Sequence, residues 1–436
     1  MTERNSGMAD NTDPKLKNQV IYSVYVRNHT SEGTFRALTD DLERIRSLGT
    51  DIIWLMPVHP IGTKDKKGSL GCPYAIRDYR DVNPFYGTLE DFRDLCDQIH
   101  RHGMKVMIDV VYNHTSPDSV LWNTHPEFFY KKPDGCPGNR VGEWSDVIDL
   151  DYGVPELWDY QIDTLVQWAH LVDGFRCDVA SFVPVEFWKR ARAAVEKVRP
   201  GCIWLAETVH REFGNAVRAK GMYSARDTEA FEAFDIEYDY DIRTAFEAYL
   251  TGKMPLAHWT DLLNFQEAIY PANYNKLRFL ENHDTARIAS FVKDERDLKN
   301  FTAMLYFLKG TALLYAGQEW ENDHTPSLFE KETICRSTGK DISAFLAALG
   351  HIRHEDLDAD DAFFAEAQCN DIAVMKRVSD TVKYGIFSLY SEAGKVHVDV
   401  PDGSYTNLLD GKEVFVRSGE IRTEGDPIIF TPGLPL

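Results

Sequence analysis

Gly174-Phe-Arg-Cys-Asp178 and, one predicted helix later, Ile203-Trp-Leu-Ala-Glu207 decide the fold of this chain. Each is a short, mostly apolar run that ends in a carboxylate. Runs of this length and composition, set between helical segments, read as strands buried on both faces. Two further segments have the same form, Asp109-Val-Val-Tyr-Asn-His114 and Phe279-Leu-Glu-Asn-His-Asp284. Parallel strands joined by helices bring their C-terminal ends to one face, so the polar endings would meet there.

The alternation continues outward in both directions. Val20 to Val26 reads as a first strand, Phe35 to Leu48 as a helix closed by Gly49, and Asp51 to Met56 as a second strand. Thr88-Leu-Glu-Asp91 fits a capping box that starts a helix ending at Gly103, and Lys105 to Val111 follows as a third strand. Helices are predicted over Pro155 to Leu171 and Pro184 to Val198, flanking the Asp178 strand. Later strands lie near Phe234 to Tyr238, Leu277 to Asn282 and Thr311 to Tyr315, and Ser343 to His354 is the last helix. Eight such units in succession predict an α/β fold, a (β/α)8 barrel over residues 18–114 and 151–365.

Two regions break the rhythm. Residues 115–150 are rich in Pro and Gly and predict a small domain inserted after the third strand. From residue 366 to 436, short alternating runs such as Lys395-Val-His-Val-Asp-Val400 and the turns Asp402-Gly403 and Asp410-Gly411 predict a C-terminal antiparallel β-sandwich. Residues 1–17 read as a disordered tail, and Lys64-Asp-Lys-Lys67 as a solvated loop.

Composition removes several classes of function. The net charge of −21 repels phosphate backbones and anionic membranes, so nucleic acid and membrane surfaces are excluded as partners. The longest apolar stretch, Ala303 to Gly317, is interrupted by Lys309 and is too short to span a bilayer. The 7 cysteines have no C-x-x-C spacing, which predicts reduced thiols, and Met1 to Lys17 has no apolar core of a signal peptide. A cytoplasmic location is expected. Phosphate-binding loops, a G-x-S-x-G elbow and an H-E-x-x-H zinc motif are all missing.

What the endings do offer is paired carboxylates. Glycoside cleavage needs an acid for the leaving oxygen and a carboxylate at the anomeric carbon. Asp178 and Glu207 end adjacent predicted strands, which suits a retaining pair at roughly 5 Å. Arg176, two residues before Asp178, points the same way by strand alternation, so its charge is expected to lower the pKa of Asp178. The apolar run before Glu207 is expected to raise its pKa and make it the acid. His114 and His283 close strands, where a histidine serves as core, as cap or, beside Asp284, as a contact to sugar hydroxyls. Tyr74 is a stacking ring or a core aromatic.

Taken together, these segments resemble the signatures of the α-amylase family of retaining glycoside hydrolases (family 13). The Asp109–His114, Gly174–Asp178, Glu207 and Glu281–Asp284 segments look like its four signatures in order. Ser145-Asp-Val-Ile-Asp-Leu-Asp-Tyr152 and Tyr315-Ala-Gly-Gln-Glu319 resemble two more. The resemblance implies Asp178 as nucleophile, Glu207 as acid and base, and Asp284 as transition-state support. It implies Arg176, His114, His283 and Tyr74 as the grip on the reacting sugar, and Asp109 has no place in the active trio. The inserted segment corresponds to the family's domain B. An α-glucan oligosaccharide or polysaccharide is the implied substrate, hydrolysed at α-1,4 bonds. A transglycosylase or an α-1,6-acting glucosidase of the same machinery is the alternative, and a non-catalytic sugar-binding member the remote one.

Many members hold calcium between barrel and domain B through residues matching Asn113 and Asp149. Here Ser181 and Phe182 stand where secreted amylases often carry Lys-His, and the acidic glycine-rich calcium loop after strand one is replaced by Arg27-Asn-His-Thr-Ser-Glu-Gly33. The expectation is no required cofactor and no metal residues, with Ca2+ left open.

Overall fold

In the computed structural model, which describes residue 9 and residues 11–141, 144–271 and 273–432, eight parallel strands close on themselves. They are β1 Val20–Val24, β2 Ile52–Leu55, β3 Lys105–Val110, β4 Gly174–Cys177, β5 Ile203–Ala206, β6 Ile236–Tyr238, β7 Lys276–Phe279 and β8 Thr311–Tyr315. Each pairs in parallel with its neighbours in chain order, and β8 returns to β1.

Period-2 alternation divides the side chains between two cores. Ile21, Ile52, Trp54, Met107, Ile203, Leu205, Tyr238, Leu277, Phe279 and Leu313 point into the barrel. Their neighbours Ile53, Val106, Ile108, Phe175, Trp204 and Leu314 pack outward in the larger core beneath the helices. Complete burial of one such aliphatic side chain contributes roughly 1.5–3 kcal/mol. The inside is crowded enough to require glycine at one position. A Cβ on Gly174 would lie 2.9 Å from the Ile203 carbonyl oxygen and 3.1 Å from Met107.

Local signals hold where they are strongest. The helix Leu89–Arg101 starts at a complete Thr88/Asp91 capping box. The expected single helix over Phe35 to Leu48 is instead two, Phe35–Thr39 and Leu42–Ser47. The interruption sets the Asp41 carboxylate against His29, Arg44 and Arg336. The first strand stops at Val24, and Val26–His29 forms a helical turn.

The expected disordered tail is corrected for its described part; residues 1–8 and 10 lie outside the described residues. Pro14–Asn18 is a 3-10 helix whose Leu16 joins the barrel interior. The Leu16 carbonyl accepts a hydrogen bond from the Thr311 hydroxyl. Asn11 and Thr12 reach Arg192 and Asp235. A polar composition predicts solvation only when no polar partners are waiting, and here a buried ion pair supplies them.

After β3 the chain leaves the barrel as domain B. His114–Thr115 pairs antiparallel with Ile148–Asp149, so this excursion begins and ends at the barrel mouth. The C-terminal sheet begins at Ala362, earlier than residue 366. Its strands β9 Ala362–Gln368, β10 Ile372–Val378, β11 Val382–Ser388 and β16 Ile428–Phe430 are antiparallel, with β12 to β15 (Gly394–His397, Gly403–Thr406, Glu413–Val416, Glu420–Thr423) forming two ribbons. Val374 and Ile386 of the sheet share a core with Val396, Val414 and Ile421 of the ribbons. The Asn264 side chain, on a barrel helix, bonds both the amide and the carbonyl of Ala365 and so docks the sheet.

Arg192 and Asp235 test the N-terminal clasp. The pair is buried, and Asp235 also accepts the Trp204 amide. Arg192→Met should cost about 3–5 kcal/mol in urea unfolding, because it strands a buried carboxylate. An unchanged midpoint would show that the clasp contributes nothing.

Candidate active site

One guanidinium organises the C-terminal mouth of the barrel. Arg176 on β4 is completely buried. Its Nη1 donates to Asp109 Oδ1 and to Asp178 Oδ1, both at 2.8 Å, and its Nη2 lies 2.9 Å from Glu207 Oε2. The rings of Trp54, Tyr238 and Tyr74 surround its Cζ at 5.1, 5.4 and 5.6 Å. Cation–π attraction at such a desolvated site offsets part of the cost of burying the charge.

Strand register places its partners. Asp109 is directly opposite Arg176 across β3 and β4. Asp178 and Glu207 each stand one residue beyond a strand. The Asp178 amide donates to Val110 O and the Glu207 amide to Cys177 O, so the ladder extends to both and holds them. Val179 then adopts φ +35°, a left-handed conformation that is costly for a β-branched residue. Its amide donates to Glu207 Oε2 at 2.8 Å. The strained turn therefore aims a backbone donor at the second carboxylate immediately after delivering the first.

Tyr74 joins the two sides of the mouth. Its hydroxyl donates to Asp109 Oδ2 at 3.0 Å and lies 2.8 Å from His283 Nε2, and its ring stacks on that imidazole. His283 Nε2 also lies 3.0 Å from Asp284 Oδ2. The cavity, about 350 Å³, is lined by Tyr74, His114, Asp178, Glu207 and Asp284, and further by Trp144, Asp146, Phe213 and Tyr240. All seven expected site residues meet here; His283 and Arg176 act from just behind the wall.

Burial and charge separate the carboxylates. Burial is the largest influence on Glu207, Arg176 opposes it and the Asp178 charge adds to it, leaving a pKa of about 7. Asp178 is also raised by burial, against Arg176 and with Asp109, to about 6. The expected lowering of Asp178 by Arg176 is thus overturned: the guanidinium is shared among three carboxylates, and desolvation outweighs its share. Asp109 is raised by burial too. For Asp284, burial would raise the pKa, but His283 wins and lowers it; the imidazole is raised in turn, against its own burial. Burial lowers the pKa of His114, against the nearby charges of Asp149 and Asp146.

Sequence reasoning missed three contributors. Asp109 belongs to the Arg176 cluster after all, and its two-residue offset from Met107, which points into the barrel, puts it on the inward face, a legible signal. Lys67 is not simply solvated. It lines the cavity and pairs with Asp146 of domain B at 2.9 Å. Trp144, packed 5.5 Å from the His114 ring, carried no signal beyond its residue type.

Asn113 and Asp149, which match the family's calcium ligands, line one cavity where the barrel meets domain B. Six to eight oxygens are needed at 2.3–2.6 Å. The Asn113 amide nitrogen faces His114 Nδ1 at 3.1 Å, and Asp149 Oδ2 accepts the Arg140 amide at 2.7 Å. The Arg140 guanidinium bonds the Leu150 carbonyl. Asp149 Oδ1 alone is buried without a partner. Among the described residues no three His, Cys, Asp or Glu side chains converge as a metal site.

Residues 8–132 and 142–361 match the model of the α-amylase catalytic domain, and residues 364–430 that of the bacterial α-amylase C-terminal domain. A solved α-amylase from Lactobacillus plantarum is 42% identical, with TM-score 0.93 over 96% of this chain and 100% of that one. A noncanonic maltogenic α-amylase from Thermotoga neapolitana is 31% identical, with TM-score 0.85 over 97% and 100%. α-Amylase 3 of Dictyoglomus thermophilum is 26% identical over 345 residues, 70% of this chain. The chain spans 65% of the length of that relative.

The electrostatics carry a direct test. Asp178→Asn removes a negative charge beside Glu207, so Glu207 should titrate below about 7 in the variant. Carbon-13 NMR of the carboxyl group reads it, and an unmoved titration would mean that the two groups do not interact.

Proposed function

The chain belongs to the α-amylase family of glycoside hydrolases, and we propose that it is a retaining α-glucoside hydrolase. Its substrates are maltodextrins or starch-type glucans, cut at α-1,4 bonds through a covalent glycosyl-enzyme. The observation that carries this reading is the pair Asp178 and Glu207 on one buried guanidinium, with the acid holding its proton to higher pH than the nucleophile.

The steps follow from that order. A glucosyl unit enters the cavity, with Tyr74 as the stacking ring and His114, His283 and Asp284 at its hydroxyls. Asp178 attacks the anomeric carbon as the bond to the leaving oxygen breaks, and Glu207 gives its proton to that oxygen. The positive charge developing on the sugar ring is met by Asp178 and by Asp284, which His283 keeps ionised. Water then replaces the departed sugar. Glu207, now a carboxylate, takes a proton from it as its oxygen attacks the anomeric carbon and releases Asp178. Arg176 stays in place through both steps, bound to whichever carboxylate is charged.

The setting is a reducing one, the cytoplasm, a reading supported by 7 unpaired cysteines. Among the described residues no helix is long and apolar enough to cross a membrane.

The pH dependence follows with its sign. Asp178 must be ionised, so kcat/KM should fall below about pH 6; Glu207 must be protonated, so it should fall above about pH 7. A narrow bell between those limits is expected, and a flat profile from pH 5 to 9 (roughly the usual assay span) would contradict the assignment. Asp178→Asn should lower turnover by at least about 10³-fold with thermal stability retained. A product profile on starch, maltotriose, pullulan and isomaltose checks the substrate: short maltooligosaccharides are expected and intact isomaltose. Elongated products from maltotriose in high yield would replace hydrolysis by transfer.

A further inference from the structure

Glu207 fixes which way a bound chain runs. As the group that gives a proton to the leaving oxygen, it faces the departing sugar, and the retained chain extends away from it. In the closed barrel β1 stands across the mouth from β5, with β8 and β2 on either side of it. The loops after β8 and β2 therefore bound the retained end of the chain. They are fastened to one another. Glu330 accepts hydrogen bonds from the Ser69 amide, at 2.7 Å, and from the Ser69 hydroxyl. The Leu70 amide donates to Phe329 O, and the Arg27 guanidinium bonds the carbonyls of Leu70, Gly71 and Leu328. Gly68 lies so close to the other loop that a Cβ there would stand 2.6 Å from Phe329 Cβ. Toward domain B, the Thr63 amide and hydroxyl donate to Asp118, and Lys67 Nζ lies 2.9 Å from Asp146 Oδ1.

We propose that the Lys67–Asp146 pair closes the glycone end of the cleft, so that the enzyme takes α-glucan chains by their non-reducing ends and releases one or two glucosyl units at a time. This rests on the α-glucan reading and adds the mode of cutting to it. Both residues line the same cavity as Asp178, together with Leu328 and Phe329 of the loop after β8. A cleft that cuts in mid-chain must let the retained chain run out past the reacting ring. Here that path meets a lysine anchored in the loop after β2 and a carboxylate anchored in domain B, with Asp146 only 4% exposed. The loop that carries Lys67 cannot retreat without breaking its bonds to Glu330 and Phe329. The enclosed space agrees: about 350 Å³ is at the low end of ligand cavities, which run from about 300 to 1,000 Å³. It suits a short chain end. The leaving side is built differently. There domain B faces the segment after β5 with two rings, Trp144 and Phe213, 6.5 Å apart, which offer a departing sugar apolar faces instead of a charged bridge across its path.

The test uses the full chain and nitrophenyl maltoheptaoside, labelled at its reducing end, with the terminal glucose at the other end either free or blocked by an ethylidene acetal. Wild type should first release glucose or maltose from the free substrate and leave the label on the longer fragment. The blocked substrate should be cut at least about 100-fold more slowly, because the closed side has no room for the acetal. Lys67→Ala should raise the ratio of blocked to free rates by about tenfold, and Asp146→Asn should do the same by releasing Lys67 to solvent. Lys67→Arg, which keeps the pair, should retain the wild-type ratio. Equal wild-type rates on the two substrates would overturn the proposal, as would an unchanged ratio in both Lys67→Ala and Asp146→Asn. If Lys67→Ala does not fold, Asp146→Asn decides. A wild type that cuts neither substrate overturns the hydrolase reading and this proposal together, whereas equal cutting of both overturns this proposal alone.

Discussion

A fully buried guanidinium inside a barrel of apolar strands is the constraint on which the site depends. Arg176 has given up hydration entirely, and an isolated charge there would cost several kcal/mol or more. Its solvation is rebuilt from three carboxylates and three aromatic faces. The reverse also holds. Asp109, Asp178 and Glu207 are packed together closely enough that their mutual repulsion would protonate them without a cation between. Neither half of the cluster is stable alone, so the geometry of one dictates the other.

That mutual dependence explains why the pKa values move upward while still remaining separated. One positive charge cannot neutralise three negative ones, and burial acts on all of them. The two groups that face the cavity therefore titrate near neutrality, Asp178 at about 6 and Glu207 at about 7. Asp284 escapes because it has its own cation, His283, which outweighs the effect of its burial. Three chemically similar carboxyl groups receive three behaviours from position alone, which is the general means by which a fold performs acid and base chemistry at one pH.

The barrel strands deliver the clustered carboxylates, whereas the segments beyond them deliver the walls. Lys67 arrives from the loop after β2, Trp144 and Asp146 from domain B, and Phe213 and Tyr240 from segments after β5 and β6. The Lys67–Asp146 ion pair joins two of these walls directly. Such a pair is partly exposed and contributes little to stability, on the order of 1 kcal/mol or less. Its relevance is to the shape of the cleft, since neither loop is held there by strand pairing with the other.

Periodicity and spacing in the sequence determined the eight strands, the inserted and C-terminal domains, and the convergence of Asp178, Glu207 and Asp284. Buried strands declare themselves by apolar runs, and the chain order of a parallel barrel makes their endings converge. The ordered N-terminal segment was not legible, because Asn11 and Thr12 become ordered only through Arg192 and Asp235, far along the chain. Nor was the upward shift of Asp178: strand alternation predicted its neighbour Arg176 but not that Asp109 and Glu207 share that charge. The role of Lys67 was hidden for the same reason. Sequence determines which side chains a strand presents and to which side; tertiary structure decides how many partners divide a single charge and how much water is left, and those two quantities set the chemistry.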